Sequence, residues 1–263
     1  MGLIAFASAK GSPGVTTSVL ALASVWPTSQ HVIVAELDPA GGDLATRFGH
    51  CFEPGVISLA AAARRNSGSA TVTEHCQQVL GGVDVLVAPA SPDQVNAALR
   101  LLDDRRAWAE LRSGEPEILA DCGRLGDEST VAHLVQASTL LVLLARPLLS
   151  ELHHLHSRLP ALQPLAGRVG LVLVGNGPYS VSEVAETLSI EVLGSLPSDP
   201  DAARILAGAS GSRRALARLP LLRAASALVE LLQIATAPAV AELPITEEVV
   251  DAELDPVLAG QAP

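Results

Sequence analysis

The chain has 263 residues, a net charge of −11, 49% hydrophobic residues and only 2% aromatic ones. That length suits one α/β domain with a large core. The scarcity of aromatics argues against a base-stacking platform for single-stranded nucleic acid, and the charge argues against a uniformly basic DNA-coating face. Three cysteines without a CxxC spacing suit a reducing compartment better than a disulfide framework. No run approaches the ~18 apolar residues of a membrane span, and the apolar start has no basic segment before it, so a cytoplasmic protein without membrane insertion is expected.

Leu3 to Ala7 is an apolar run of strand length, followed by a loop through Lys10, Gly11, Ser12, Pro13, Gly14, Val15, Thr16 and Thr17. From Ser18 apolar residues recur at helical spacing: Val19, Leu20, Leu22, Ala23 and Trp26. Strand, glycine loop and helix form a phosphate-binding arrangement, because loop N–H groups and the helix N-terminus favour an anion and Thr16 offers a hydroxyl to Mg²⁺. The common phosphate loop places lysine directly before that hydroxyl. Here the residue is Val15, and the only lysine of the chain, Lys10, stands at the front of the loop. A unit charge ~4 Å from phosphate is worth about 4 kcal/mol at an effective dielectric of ~20, and valine supplies none of it.

This loop resembles the signature-lysine loop of the ParA/MinD family of deviant Walker ATPases, KGGxGKTT, with Lys10 at the signature position and Val15 in place of the second lysine. The next apolar run, His31 to Glu36, leads to Asp38-Pro39-Ala40-Gly41-Gly42-Asp43-Leu44. An acid at a strand end can face a terminal phosphate and orient water. The family's DxDPQG segment implies that role for Asp38, with Glu36 where its first aspartate stands. The Gly-Gly-Asp-Leu continuation looks like the CpaE/TadZ branch, which positions pilus and secretion machinery.

Gly55 to Ala63 reads as a short helix, Val83 to Ala88 as a strand closed by Pro89 and Pro92, and Asp93 to Leu111 as a helix with Val95, Leu99, Leu102 and Trp108 near one stripe. Glu117 to Asp121 is a strand ending in an acid, as a Walker B site requires, and Asp121 would reach Mg²⁺ through one of the metal's waters. The segment Cys122-Gly123-Arg124-Leu125-Gly126 departs from the family's switch. Arg124 reads there as a solvated arginine rather than a phosphate contact, and Cys122 as a packed thiol.

Thr139 to Ala145 is the most apolar strand, followed by a helix from Leu148 to Leu162 whose His153, His154 and His156 read as solvated or packed rather than metal-binding. Val169 to Val174 is a further strand ending in Gly175-Asn176-Gly177. Asn176 reads equally as half of an Asn-Gly turn and, by resemblance, as the residue facing adenine, with Gly177 replacing the family's arginine. Ile190 to Leu196 and Pro197-Ser198-Asp199-Pro200 resemble the last strand and the segment bordering the base, which implies Pro197 and Asp199 as nucleotide contacts. Leu221 to Ile234 reads as the closing helix. Arg213, Arg214, Arg218 and Arg223 before and within it read as a solvated surface. Residues 1–236 form the domain, and 237–263, acidic and proline-containing, read as a mobile tail.

The expected fold is a mostly parallel α/β sheet with helices on both faces and functional groups at the strands' carboxyl ends. The resemblance implies a homodimer that sandwiches ATP, with Lys10 and Asp38 catalytic, Thr16 and Asp121 holding Mg²⁺, and slow hydrolysis for want of the second lysine. It implies a protein partner in a pilus, secretion or division apparatus, or chromosome or plasmid partitioning, and nonspecific DNA ranks below machinery positioning. Two alternatives stay open: a pseudo-ATPase adaptor that does not hydrolyse, favoured by Val15, Glu36 and the altered switch, and an iron–sulfur reductase of the same fold, which needs a cysteine pair facing a dimer axis.

Overall fold

The computed structural model describes residues 2–10, 13–65, 71–79, 82–102, 116–126, 129–211 and 213–236. Eight strands form one sheet: β1 (Leu3–Ser8), β2 (Val32–Glu36), β3 (Gln77–Val79), β4 (Val83–Leu86), β5 (Glu117–Arg124), β6 (Leu140–Ala145), β7 (Val169–Val174) and β8 (Glu191–Leu196). Their order is β3-β4-β2-β5-β1-β6-β7-β8. Every neighbouring pair is parallel except β3 with β4 at one edge.

The apolar runs form the centre because both of their faces are covered. All six residues of β1 and all six of β6 are buried. Along β1 the side chains alternate: Leu3, Ala5 and Ala7 enter one apolar layer, Ile4 and Phe6 the other. The first layer is closed by helices α3 (Val56–Arg65), α4 (Pro92–Leu101), α5 (Ala132–Ala137), α6 (Leu149–Leu162) and α7 (Val181–Leu188). The second is closed mainly by α1 (Val15–Ser24), α8 (Pro200–Leu206) and α10 (Pro220–Thr236), with α2 (Leu44–Phe48) and α9 (Arg213–Leu216) at its margin.

Several boundaries differ from the sequence reading. The helix expected over 93–111 begins at Pro92, behind Ser91, and ends at Leu101; positions 103–111, Trp108 among them, lie outside the described residues, as does the tail from 237. The strand expected to end at Asp121 runs on to Arg124, because Leu125 N–H still pairs with the Ser8 carbonyl. The edge strand β3 and helices α2, α5, α7, α8 and α9 were not anticipated. For α7 the signal was present: the Ser180 hydroxyl accepts from Glu183 N–H while the Glu183 carboxylate accepts from Ser180 N–H, a reciprocal cap. For α8, Asp199 caps and Pro200 opens the helix.

From β1 the order runs β6-β7-β8 on one side and β5-β2-β4-β3 on the other, so the crevice at the carboxyl end of β1 is where a sheet of this kind leaves room for a ligand.

Candidate functional site

β1 leaves the sheet through an irregular register between Phe6 and Ser8, and the chain returns at Gly14, which precedes α1 with φ 91°. Gly11 and Ser12 lie outside the described residues. The N-terminus of α1 has no side-chain cap and no acid in its first turn, so its N–H groups face the loop unopposed. Val15 is 7% exposed and packs into the apolar layer beneath α1.

Three carboxylates converge beyond this loop. The register pairs Asp121 with Phe6 on one side and Glu36 on the other, setting those two acids on one level of the sheet, and Asp38 lies just past the end of β2. Asp121 is 1% exposed. Burial raises its pKa from the usual 3.8 to about 6; the nearby Thr16 hydroxyl and the Gly123 N–H pull it down, and Asp38 and Glu36 push it up. Its Oδ1 accepts from Gly123 N–H at 3.0 Å. Its Oδ2 is buried and has no hydrogen-bond partner of good geometry among the described residues. An orphaned carboxylate oxygen behind a hydroxyl is an all-oxygen donor set of the kind Mg²⁺ takes, so these two residues fit the metal.

Glu36, given no role by the sequence beyond standing where a family aspartate does, has a bracing job. Its Oε1 accepts from Asp43 N–H (2.6 Å) and Leu44 N–H (2.9 Å), and its Oε2 from Ala88 N–H (2.9 Å). It ties the turn after β2 to the segment after β4. Burial nonetheless raises its pKa, against those three bonds.

Asp38 opens that turn, its Oδ1 accepting from Ala40 N–H at 2.8 Å. Burial raises its pKa, the Ala40 N–H and Arg124 lower it, and Asp43 raises it again. Its carboxyl rests against Gly123, where φ is +58° and a Cβ would run into the Asp38 carboxyl carbon. That contact and that φ explain why glycine stands in a segment so unlike the family's switch.

Four cationic side chains and His154 face these acids across an open cleft of about 1090 Å³, lined by Thr16, Asp38, Arg124 and others. Lys10 Nζ donates to His154 Nε2 at 2.6 Å, from loop to α6 of the same chain. Partial desolvation, with Lys10, His153 and Arg158 nearby, holds the His154 pKa below the ordinary value. Arg47 pairs with Asp43 at 2.8 Å. Arg158 donates to the Ala9 carbonyl (2.7 Å) and the Leu125 carbonyl (2.6 Å), joining the start of the loop to the chain after β5. Sequence reasoning missed Arg158, because both acceptors are backbone atoms far away in the chain.

A second cleft, about 290 Å³, opens on the other side of the same loop. Pro13, Gly14 and Thr17 line it together with Arg146, Asn176, Pro197 and Asp199. Asn176, Pro197 and Asp199 are therefore brought together as the sequence reading expected. Asp199 is also a brace: its Oδ1 accepts from Ala202 N–H (3.0 Å) and its Oδ2 from Leu221 N–H (3.2 Å). At Gly177, a Cβ would strike the Pro147 carbonyl, so no arginine fits there; Arg146, one residue before that proline, lines the cleft instead.

Away from the clefts, Cys122 is fully buried, and burial pushes its thiol well above the ordinary pKa; Cys51 is exposed and Cys76 half-buried. Arg214, Arg218 and Arg223 are exposed. No helix among the described residues is long and apolar enough to cross a membrane, and none of them form a group of three or more His, Cys, Asp or Glu able to hold a metal.

No protein-family model matches the chain, and no curated protein matches it in sequence. Solved structures do. A ParA family ATPase from Chlorobium tepidum superposes with a TM-score of 0.71 at 17% identity, covering 87% of this chain and 97% of that one. The septum site-determining protein MinD of Pyrococcus horikoshii, complexed with Mg-ADP, gives 0.70 at 17% identity over 88% and 95%. MinD in the Aquifex aeolicus MinC:MinD cell division complex gives 0.65 at 15% identity over 89% and 96%. The eight-stranded, mostly parallel sheet with its flanking helices thus has the fold of the ParA/MinD P-loop ATPases.

Proposed function

We propose that this chain is a nucleotide-switched positioning protein that takes ATP with Mg²⁺ across its two clefts. The observation carrying this reading is that the clefts meet at Gly14 and Thr17: an acid-walled side with Thr16, Asp38 and Asp43, beneath which Asp121 is buried, and a side holding Asn176 and Pro197. The Pyrococcus MinD of this fold is complexed with Mg-ADP, which supports the same class of ligand here.

Thr16 and Asp121 would hold Mg²⁺, which when bound neutralises phosphate charge. Gly11 to Thr17 would cradle the phosphates, every residue but Pro13 offering a backbone N–H. Asp38, its carboxyl braced by Ala40 N–H, would orient the attacking water. Asn176, Pro197 and Asp199 would border the base. Lys10 would leave His154 and cross to the phosphates of a second subunit in a homodimer. As the Aquifex MinD is complexed with MinC, a protein partner would be engaged by that dimer and released on hydrolysis, the partner belonging to a pilus, secretion, division or partitioning apparatus.

Calorimetric titration tests the reading. ATP should bind more tightly with Mg²⁺ than with EDTA, and Asp121→Asn should remove the difference. No heat from ATP at millimolar concentration would end the reading. One observation favours a second account, a non-hydrolysing adaptor: Val15 is committed to the apolar layer, so the loop offers no lysine of its own to a developing charge. Tight binding without release of phosphate would select it.

A further inference from the structure

Val15 leaves one subunit's phosphate cleft without the cation that the loop ordinarily supplies, and Lys10 is tied to His154 on α6. Arg47 is engaged by Asp43, and Arg158 by two carbonyls. Arg124 differs from both. It ends β5, level with Ser8 at the exit of β1 and so beside the loop. Its side chain is exposed, lines the cleft and makes no hydrogen bond or ion pair among the described residues. The Asp38 carboxyl feels its charge, and Gly123 before it holds the backbone in a left-handed turn against that carboxyl.

Resting on the nucleotide reading above, we propose that Arg124 supplies the phosphate-binding charge of its own subunit, in place of the lysine that Val15 replaced. The cation has moved from the loop after β1 to the end of the neighbouring strand. A guanidinium there can offer two parallel N–H donors to phosphate oxygens, a geometry lysine lacks. It also sits beside the acid assigned to water, so the same side chain that binds phosphate offsets the repulsion between Asp38 and that phosphate.

The test compares Mg-ATP and adenosine on the wild type, Arg124→Ala and Arg124→Lys by calorimetry, with thermal melting as the folding control. Because Arg124 is exposed and its side chain is unbonded among the described residues, both variants should melt with the wild type. The expected result is an ATP affinity about 10–100-fold weaker in Arg124→Ala, the worth of one or two charged hydrogen bonds. Arg124→Lys should recover part of it, and adenosine binding should not change. ATP binding equal in wild type and Arg124→Ala would overturn this inference and leave the nucleotide reading standing. Binding of neither ATP nor adenosine to the wild type would overturn both. Should Arg124→Ala melt early, Arg124→Gln replaces it, and an unchanged ATP affinity in that variant overturns the inference equally.

Discussion

Burial makes Asp121 a reluctant anion. Its pKa in the folded protein, about 6, lies above the usual 3.8, so the fold binds the proton more tightly than the unfolded chain does. The sign follows: this carboxyl costs nothing below about pH 4, and stability falls as pH rises from there through about 6. Asp121→Asn keeps the acceptor for Gly123 N–H and removes the charge. It should stabilise the ligand-free protein on the order of 2 kcal/mol at pH 7 and not at all near pH 3.5, read by denaturant unfolding at the two pH values. Glu36 is the opposite case, an acid kept for the bonds it accepts. Glu36→Ala strips partners from Asp43, Leu44 and Ala88 N–H groups and should cost about 3 kcal/mol, while Glu36→Gln, which retains an acceptor oxygen for two of them, should cost about 1. Chemical denaturation of the two variants checks that order.

At the scale of elements, Arg158 makes α6 part of the site without placing it in the sheet. Its guanidinium holds the segments after β1 and after β5 together; the first carries Lys10 and the second directly follows Arg124. Arg158→Ala should lose about 1–3 kcal/mol and speed hydrogen exchange at Lys10 and Leu125 while leaving β7 and β8 protected. This is the kind of contact that sequence does not disclose, since a side chain reaching a carbonyl 149 positions away leaves no spacing to read. The central strands were legible because runs such as LLVLLA are covered on both faces and so carry no polar alternation. β3, reading Gln-Gln-Val, was not, because an edge strand with one wet face needs no such run. In the site, Thr16, Asp38 and Asp121 were legible from glycines and strand-end acids. Glu36 was left without a role because its three N–H donors come from chain segments up to 52 positions away, and Arg124 was set aside as solvated because its neighbourhood forms only when β5 passes beside β1.

Across the whole molecule the two clefts are set by different elements, one by β1, β2 and β5 with α6, the other by β6, β7 and the chain after β8. They share only Gly14 and Thr17 among their lining residues. Those two positions form a sill between separate rooms. A small guest confined to either room need not touch it, whereas a molecule occupying both must lie over it. Thr17→Trp should therefore act as a gauge of guest length: adenosine and inorganic triphosphate should each still bind, and intact ATP should be turned away, which competitive titration of the three would measure.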